Sequence, residues 1–391
     1  MNSSGTYKIR PAGRHILTIG RDLIQDRYAA VVELVKNAYD ADSPDVNIVF
    51  QAKPDQSGYS IIIDDHGHGM SRDTVIHKWM VPSTPDKLDR RLSPSGRLMQ
   101  GRKGVGRYAA SILGVDLLLE TITSQGEKTT LLVVWSDFEN AHYLDDVEIL
   151  IETTEVSEPS GTRLTMTGDD ELLKEWNTNQ FEHLRFELKK LTSPIAAALG
   201  NELNYEFRIS LEISGFSDVE DLIEIIEPYP IFDLFDYRIA GIIGADGQGL
   251  LTYSLQKVRN TAEENIQIET GGPTGCGELA FDIRVYDREK EAIDSLICRG
   301  LKDDSGNYLG KLEARRLLNE YNGIGVFRNG FRIRPLGDAD FDWLKLNEQR
   351  VQNPSLRIGS NQAIGYVQIQ SDELSGLVEK SARDGLRENT A

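Results

Sequence analysis

The sequence has few cysteines, no long apolar run and no secretory signal. Its two cysteines among 391 residues, Cys276 and Cys298, form neither a disulfide framework nor a metal-ligand pattern, so we expect them to be packing residues in a reducing compartment. No apolar segment is long enough to cross a bilayer. The N-terminus, MNSSGTYKIRPAGRH, lacks the apolar core of a secretory signal, so we expect a cytoplasmic protein without a membrane partner.

Positive charge is also scarce. Lys and Arg number 43 against 62 Asp and Glu, which gives a formal net charge of -19. This balance argues against strong nonspecific attraction of the whole chain to nucleic acid or anionic lipid, because such binding needs clustered basic residues. The densest basic segment runs from Lys87 to Arg107, and it suits a smaller polyanion.

The composition, 39% hydrophobic and 27% charged, is typical of a soluble globular protein. The length predicts two domains, which we place at residues 1–200 and 201–391. In the first domain the apolar pattern predicts strands at DVNIVFQA, YSIIIDD, VDLLLETIT, KTTLLVVWS and GTRLTMTG. Helices mixed with these strands predict an α+β layer with helices on one face of an open sheet.

A helix predicted over residues 21–42 carries a polar stripe. At about 100° per residue, one face is apolar and the opposite face is mostly polar. The apolar face holds Ile24, Tyr28, Val31, Val35 and Ala38, and the opposite face holds Ala29, Glu33, Asn37 and Asp40. The flanks are apolar as well, so we expect the helix to be covered and its polar stripe to have a partner. The alternative is a solvated face.

Two further motifs contain closely spaced glycines. Asp65, Gly67 and Gly69 form D-x-G-x-G after an apolar strand, where the carboxylate could accept a hydrogen bond from an exocyclic amine such as that of adenine. The alternative is a simple turn, and metal binding by His66 and His68 is rejected because no motif supplies a third ligand.

The second glycine motif lies in GRKGVGRYA, which begins after a long loop that lacks periodicity. Its glycines precede a predicted helix, where backbone N–H groups suit phosphate. It is neither a Rossmann nor a Walker motif. Gly161 and Thr162 then open a later strand, which is uninformative alone.

The four motifs, E-x-x-x-N, D-x-G-x-G, G-x-x-G-x-G and G-T, occur in this order within the first domain. Together they resemble the GHKL ATPase superfamily, the ATP-binding module of gyrase B, Hsp90, histidine kinases, MutL and MORC proteins. The resemblance covers roughly residues 15–170. It implies a Bergerat sandwich, in which a mixed sheet is covered by helices, and ATP and Mg²⁺ as cofactors.

The resemblance also implies a role for each matching residue. Glu33 would be the general base that polarises the attacking water, Asn37 would hold Mg²⁺, and Asp40 would support the water and phosphate network. Asp65 would read adenine N6 with help from Thr162. The turn bordering adenine would include Gly67, Gly69 and Met70, and the phosphate loop would include Gly101, Arg102, Lys103, Gly104, Val105 and Gly106. Residues 80–100 would form the ATP lid. The alternative for Arg102 and Lys103 is that their charges keep the lid soluble and do not contact phosphate.

The resemblance is closest to Hsp90-like and MORC-like prokaryotic ATP-binding proteins, some of which act in phage defence. Only a short segment precedes the first helix, which disfavours a histidine kinase. The family implies an S5-like α/β transducer domain over 201–391, with a strand-turn-strand element at GVFRNGFRI whose turn is Asn329-Gly330. Such a domain lends a cation to the γ-phosphate. Our candidates are Lys345, then Arg350 and Lys257, and the alternative for each is a surface residue.

These implications favour a slow ATPase that dimerises when ATP binds, a molecular clamp. The alternative is an ATP-sensing scaffold for a protein partner with negligible turnover, and a protein kinase is a third hypothesis. The acidic stretch 218–227 departs from a DNA clamp, whose inner surface should be basic, so direct binding of nucleic acid is left open. We expect more sequence beyond residue 391 in the full protein, such as a dimerisation stalk or an effector region.

Overall fold

The computed structural model divides the chain into two compact units, Met1–Lys189 with Glu202–Glu227, and Lys190–Asn201 with Pro228–Ala391. The structure describes residues 8–23, 26–82, 93–95, 97, 99, 106–191, 207–227, 234–257, 262–301, 308–328, 331–333, 335–380 and 385–387. Within these ranges no helix is long and apolar enough to cross a membrane.

The described part of the first unit is built on an eight-stranded sheet in the order β5-β4-β3-β6-β2-β1-β7-β8. Its strands are β1 (Asp45–Ala52), β2 (Gly58–Asp65), β3 (Asp116–Ile122), β4 (Glu127–Val134), β5 (Ile151–Glu155), β6 (Gly161–Asp169), β7 (Arg208–Ser214) and β8 (Leu222–Ile225). All neighbours pair antiparallel except β1 and β7, which are parallel. The predicted α+β class with a mixed sheet and helices is therefore confirmed.

Strands β7 and β8 belong to this first sheet, although the sequence analysis assigned them to the second domain. A parallel partner for β1 requires the chain to cross back over the sheet, and helical segments precede β7. Ile209, Leu211 and Ile213 on β7 are buried, so this strand extends the core of the first unit.

Among the residues that the structure describes, the longer helices beside the sheet are α1 (His15–Leu23), α2 (Arg27–Asp40) and α3 (Thr178–Leu191). The single helix predicted over residues 21–42 was wrong at its start, because α1 ends at Leu23 and Asp26 has an extended backbone before α2. Shorter helical segments are Arg72–Thr74, a π-helical turn Val75–Trp79, a 3-10 helix Gly106–Ile112, Trp135–Asn140, a 3-10 turn Leu144–Asp146 and Asp170–Leu173.

One face of the sheet forms the core. Ile48 and Phe50 on β1 and Ile61 on β2 are buried. They lie on the same face of the sheet, because alternate residues of a strand point to the same side and Phe50 is opposite Ile61. The ring of Phe50 meets Trp176 and Phe181 edge-on, with centroids 4.7 and 5.1 Å away. Helix α3, which carries Phe181, therefore packs on this face.

The described part of the second unit holds a seven-stranded sheet in the order β11-β10-β9-β12-β15-β13-β14. Its strands are β9 (Tyr237–Ile243), β10 (Gln248–Leu255), β11 (Ala262–Glu269), β12 (Leu279–Val285), β13 (Gly323–Arg328), β14 (Phe331–Arg332) and β15 (Ala363–Ile369). The longer described helices of this unit are α4 (Lys290–Cys298) and α5 (Lys311–Tyr321). Shorter helices follow later in the chain at Leu346–Gln352, Ser360–Gln362 (3-10) and Asp372–Ser375.

The core of the second unit lies around Tyr286, Ile293, Leu296, Leu318 and Ile364, which are all buried. Strands β13 and β14 pair antiparallel as predicted, while their turn at 329–330 lies outside the described residues.

The sequence also predicts a helix at SARDGLREN, the last segment of the chain. This prediction is wrong at Leu386, which forms an isolated antiparallel bridge with Glu379. The likeness of this unit to an S5 domain stays a prediction.

Candidate functional site

The polar stripe of α2 lies in a covered environment. Asp40 is buried, and Asn37 is partly buried. The Glu33 side chain is only 12% exposed, and its carboxylate pairs with the Lys36 ammonium at 3.2 Å. A solvated helix face would expose these groups, so the stripe is not such a face. The spacing of Glu33 and Asn37 places both on one side of the helix, about one turn apart.

Asp65 ends β2 with its side chain on the core face of the sheet. Its Oδ1 accepts a hydrogen bond from the N–H of Gly67 at 2.9 Å. Burial raises the pKa of Asp65 to about 7, although the N–H groups of Gly67 and Thr162 lower it; the charge of Asp64 raises it and His66 lowers it. A carboxyl group with this pKa changes protonation near neutral pH, and a neighbouring donor would favour its ionised form.

The two glycines of the D-x-G-x-G turn allow close packing on protein backbone. A Cβ on Gly67 would lie 2.4 Å from the carbonyl oxygen of Ala41, and one on Gly69 would lie 1.9 Å from that of Ile122. Gly69 also has a φ of +64°, which favours glycine. The N–H of His68 donates to the Ala41 carbonyl at 2.9 Å. The turn is thereby held against the end of α2 and the end of β3.

A row of polar side chains crosses three strands beside this turn. Asp65 lies opposite Thr162 on β6, and Thr162 lies opposite Thr121 on β3. The hydroxyl oxygens of the two threonines are 3.0 Å apart, and the N–H of Met70 donates to Thr121 Oγ1 at 2.8 Å. Sequence analysis missed Thr121, which is fully buried, because threonine is common in strands and no motif marks it.

The predicted phosphate loop lies mostly outside the described residues, including Gly101, Arg102, Lys103, Gly104 and Val105. The described structure resumes at Gly106, which begins a 3-10 helix where the sequence predicted a helix. Arg107 donates to the carbonyls of Lys78 and Trp79 at 2.5 and 2.6 Å. Of the predicted lid, residues 80–82, 93–95, 97 and 99 are described.

The candidate cations of the second unit have different environments. Lys345 is exposed and has a φ of +54°, and Arg350 is exposed on the following helix. Lys257 forms an ion pair with Asp287. The contact of any of them with a phosphate stays a prediction.

Within the described ranges no group of three or more His, Cys, Asp or Glu side chains could hold a metal ion. The rings of the two histidines in the turn have other partners. Nδ1 of His66 lies 2.7 Å from Asp45 Oδ1, and Nδ1 of His68 lies 2.7 Å from the Gly69 carbonyl. The role of Asn37 as the ligand of a magnesium ion stays a prediction from the family resemblance.

Comparison with known proteins addresses the same region of the chain. A search of curated proteins found no match. A family model does match, and the matched segment contains α2, the Asp65 turn, Gly106 and Thr162. Residues 26–162 of this chain match the family described as histidine kinase-, DNA gyrase B-, and HSP90-like ATPase.

Proposed function

We propose that the first unit binds ATP with Mg²⁺ and hydrolyses it slowly, and that ATP binding drives dimerisation of the chain. The observation that carries the proposal is the covered polar stripe of Glu33, Asn37 and Asp40, which lies in the same matched segment as the Asp65 turn. A nucleotide site would use each of these groups, Glu33 and Asp40 around the attacking water and Asn37 at the metal ion.

Asp65 would recognise the adenine amine. A carboxylate offers about four lone-pair sites, and the N–H groups of Gly67 and Thr162 take part of this capacity. The exocyclic amine of adenine is a donor that suits the rest. The Thr162 hydroxyl lies beside this carboxylate on the next strand, where it could serve a ring nitrogen or a bridging water. The residues present therefore fit an adenine base.

Glu33 and Asn37 would serve the phosphate end. The Glu33 carboxylate would accept a proton from the attacking water, which Asp40 would help to position, and the Asn37 amide oxygen would hold the metal. Mg²⁺, when bound, supplies positive charge over the phosphate oxygens. The Lys36 ammonium lies 3.2 Å from one oxygen of the Glu33 carboxylate and restrains this side chain. Lys345 would add a cation from the second unit.

The test compares ATP turnover of the wild type with that of Glu33→Ala, with Glu152→Ala on exposed β5 as the matched control. We expect Glu33→Ala to lose turnover by roughly 10²- to 10⁴-fold while it still binds ATP. Light scattering should show a dimer with a nonhydrolysable ATP analogue, and Glu33→Ala should accumulate that dimer with ATP itself. Wild-type turnover in Glu33→Ala would contradict the proposal.

A second candidate is an ATP-sensing scaffold with negligible turnover. The observation that favours it is the ion pair of Glu33 with Lys36, because a carboxylate engaged by a cation is a weaker base. Tight binding of ATP to the wild type without phosphate release would support this alternative. The roles in phage defence and in binding nucleic acid stay predictions from the family resemblance.

A further inference from the structure

Arg97, near the end of the predicted lid, is docked on the C-terminal end of α2. It is buried, and its Nη1 donates to the carbonyls of Ser43 at 2.6 Å and Tyr39 at 3.3 Å. Its guanidinium also lies over the Tyr39 ring, 4.9 Å from the centroid. The last carbonyls of a helix lack intrahelical donors, and a cation is favourable at that end of the helix dipole.

A second set of contacts anchors the same segment. Asp42 accepts a hydrogen bond from the N–H of Ser95 at 3.0 Å and one from each hydroxyl of Ser93 and Ser95. The Ser93 hydroxyl also accepts the N–H of Arg97 at 2.9 Å. Although burial acts to raise it, hydrogen bonds from both serines hold the pKa of Asp42 below its ordinary value. Ser93, Ser95 and Arg97 are thus joined to residues 39–43 by several charge-assisted hydrogen bonds.

The same end of α2 supports the Asp65 turn. The fully buried Ser43 accepts the N–H of His66 at 2.7 Å and donates to the Asp45 carbonyl at 2.5 Å. Two residues after His66, the N–H of His68 donates to the Ala41 carbonyl. A continuous path of hydrogen bonds therefore runs from Arg97 through Ser43 to the peptide that follows Asp65.

We propose that Arg97 is a positioning residue for nucleotide recognition, which acts by fixing the end of α2 against which the Asp65 turn rests. The inference rests on the proposed ATP site. In this role Arg97 would influence the affinity for adenine although its side chain does not touch the base. Glu33 lies six residues before Tyr39, about 9 Å along the helix axis, so the hydrolytic step should be less sensitive to Arg97 than binding is.

The experiment compares Arg97→Met, Arg97→Lys and Asp42→Asn with the control Arg185→Met. Arg185 makes a bidentate ion pair with Glu224 in the same unit, so its loss reports general destabilisation. Calorimetric titration with ATP and with ADP gives the dissociation constants, and steady-state assays give KM and kcat. Hydrogen exchange without nucleotide reports protection of the His66 and His68 amides.

For Arg97→Met we expect roughly tenfold weaker binding of both nucleotides, since hydrogen bonds from a charged group are lost. We expect a kcat within about twofold of wild type, because Glu33 lies about 9 Å along the helix axis from Tyr39, which Arg97 contacts. Arg97→Lys should recover part of the affinity, because it keeps the charge but not the paired donors. The His66 and His68 amides should exchange faster in Arg97→Met than in Arg185→Met.

Unchanged protection of these amides in a folded Arg97→Met protein would overturn the inference, and so would a fall in kcat at unchanged KM. If Arg97→Met proves unstable, Asp42→Asn tests the same path with a residue that tolerates positive φ. A wild type that binds no nucleotide would overturn the proposed function and, with it, the role of Arg97 in recognition. The exchange data would then still decide whether Arg97 orders the turn.

Discussion

Asp65 on β2 and Thr162 on β6 are opposed residues of an antiparallel pair, and both point to the core face of the sheet. On β2 the two preceding residues of this face, Ile61 and Ile63, are buried apolar side chains. The row therefore changes from apolar to polar at the end of the strands, where the D-x-G-x-G turn begins. A carboxylate in such a place is shielded from water yet has polar neighbours, which is a suitable setting for reading one hydrogen-bond donor.

We predict that Asp65→Asn weakens ATP binding by on the order of tenfold to a hundredfold, because a charged acceptor is replaced by a neutral amide. Inosine triphosphate, which presents an acceptor in place of the amine, should lose less. Calorimetry with both nucleotides measures the change. Asp64→Asn is the control, because Asp64 points to the other face and pairs with Arg163 at 2.7 Å. Equal losses for both nucleotides would argue against amine recognition.

We predict that ATP affinity rises between about pH 6 and pH 8, because the amine requires the ionised form of Asp65, whose pKa burial raises to about 7. Asp65→Asn should remove this dependence. Titrations at several pH values, in buffers of different ionisation enthalpy, would also detect the proton released on binding. A wild-type pH profile that Asp65→Asn leaves unchanged would assign the dependence to another group.

The same raised pKa has an opposite consequence for the free protein. Between the ordinary aspartate value of 3.8 and about 7, the folded state holds a proton on Asp65 that the unfolded state does not hold. The contribution of Asp65 to the free energy of unfolding is therefore present at acidic pH and is lost as the pH rises through about 7. The stability difference between wild type and Asp65→Asn, from denaturant unfolding, should fall over this range. A constant difference would contradict the pKa.

Gly69→Ala should destabilise the first unit by more than the cost of placing alanine at a positive φ, because the added Cβ would also clash with backbone. The added Cβ would lie 1.9 Å from the Ile122 carbonyl oxygen at a φ of +64°. The matched control is Gly271→Ala, where φ is +86° but no atom lies within 4 Å of the added Cβ. We expect Gly271→Ala to cost about 1 kcal/mol and Gly69→Ala roughly 2 to 4 kcal/mol in the free energy of unfolding. Equal costs in thermal unfolding would show that the turn can move away.

The ion pair of Lys257 with Asp287 distinguishes the catalytic roles that we predict for Lys345 and Lys257. Lys345→Met should lower kcat by roughly tenfold or more with little change in ATP affinity, if this exposed cation stabilises charge in the transition state. Lys257→Met should have a small effect, because Asp287 already neutralises Lys257. Steady-state kinetics of both variants is the measurement. A larger effect at Lys257 would reverse our order of candidates.

Local periodicity was enough to predict much of the first unit. The alternation in DVNIVFQA and YSIIIDD predicted β1 and β2, because a strand with one buried face repeats every two residues. Helical spacing placed Glu33, Asn37 and Asp40 on one side of α2, and the structure finds them partly or fully buried. In contrast, β5 and β11 were not predicted, because their burial is low and their apolar pattern is weak.

The sequence by itself therefore determined the helix with its polar stripe, the strand that ends at Asp65 and the order of the motifs, because these depend on residues close together in the chain. The tertiary structure decided which distant groups meet. Arg97 reaches Ser43 across 54 residues, Thr121 joins Thr162 across 41, and β7 returns to pair parallel with β1. Such contacts depend on how the chain crosses back over the sheet, and a single arginine or threonine carries no local signal of the carbonyl or hydroxyl that it will bind.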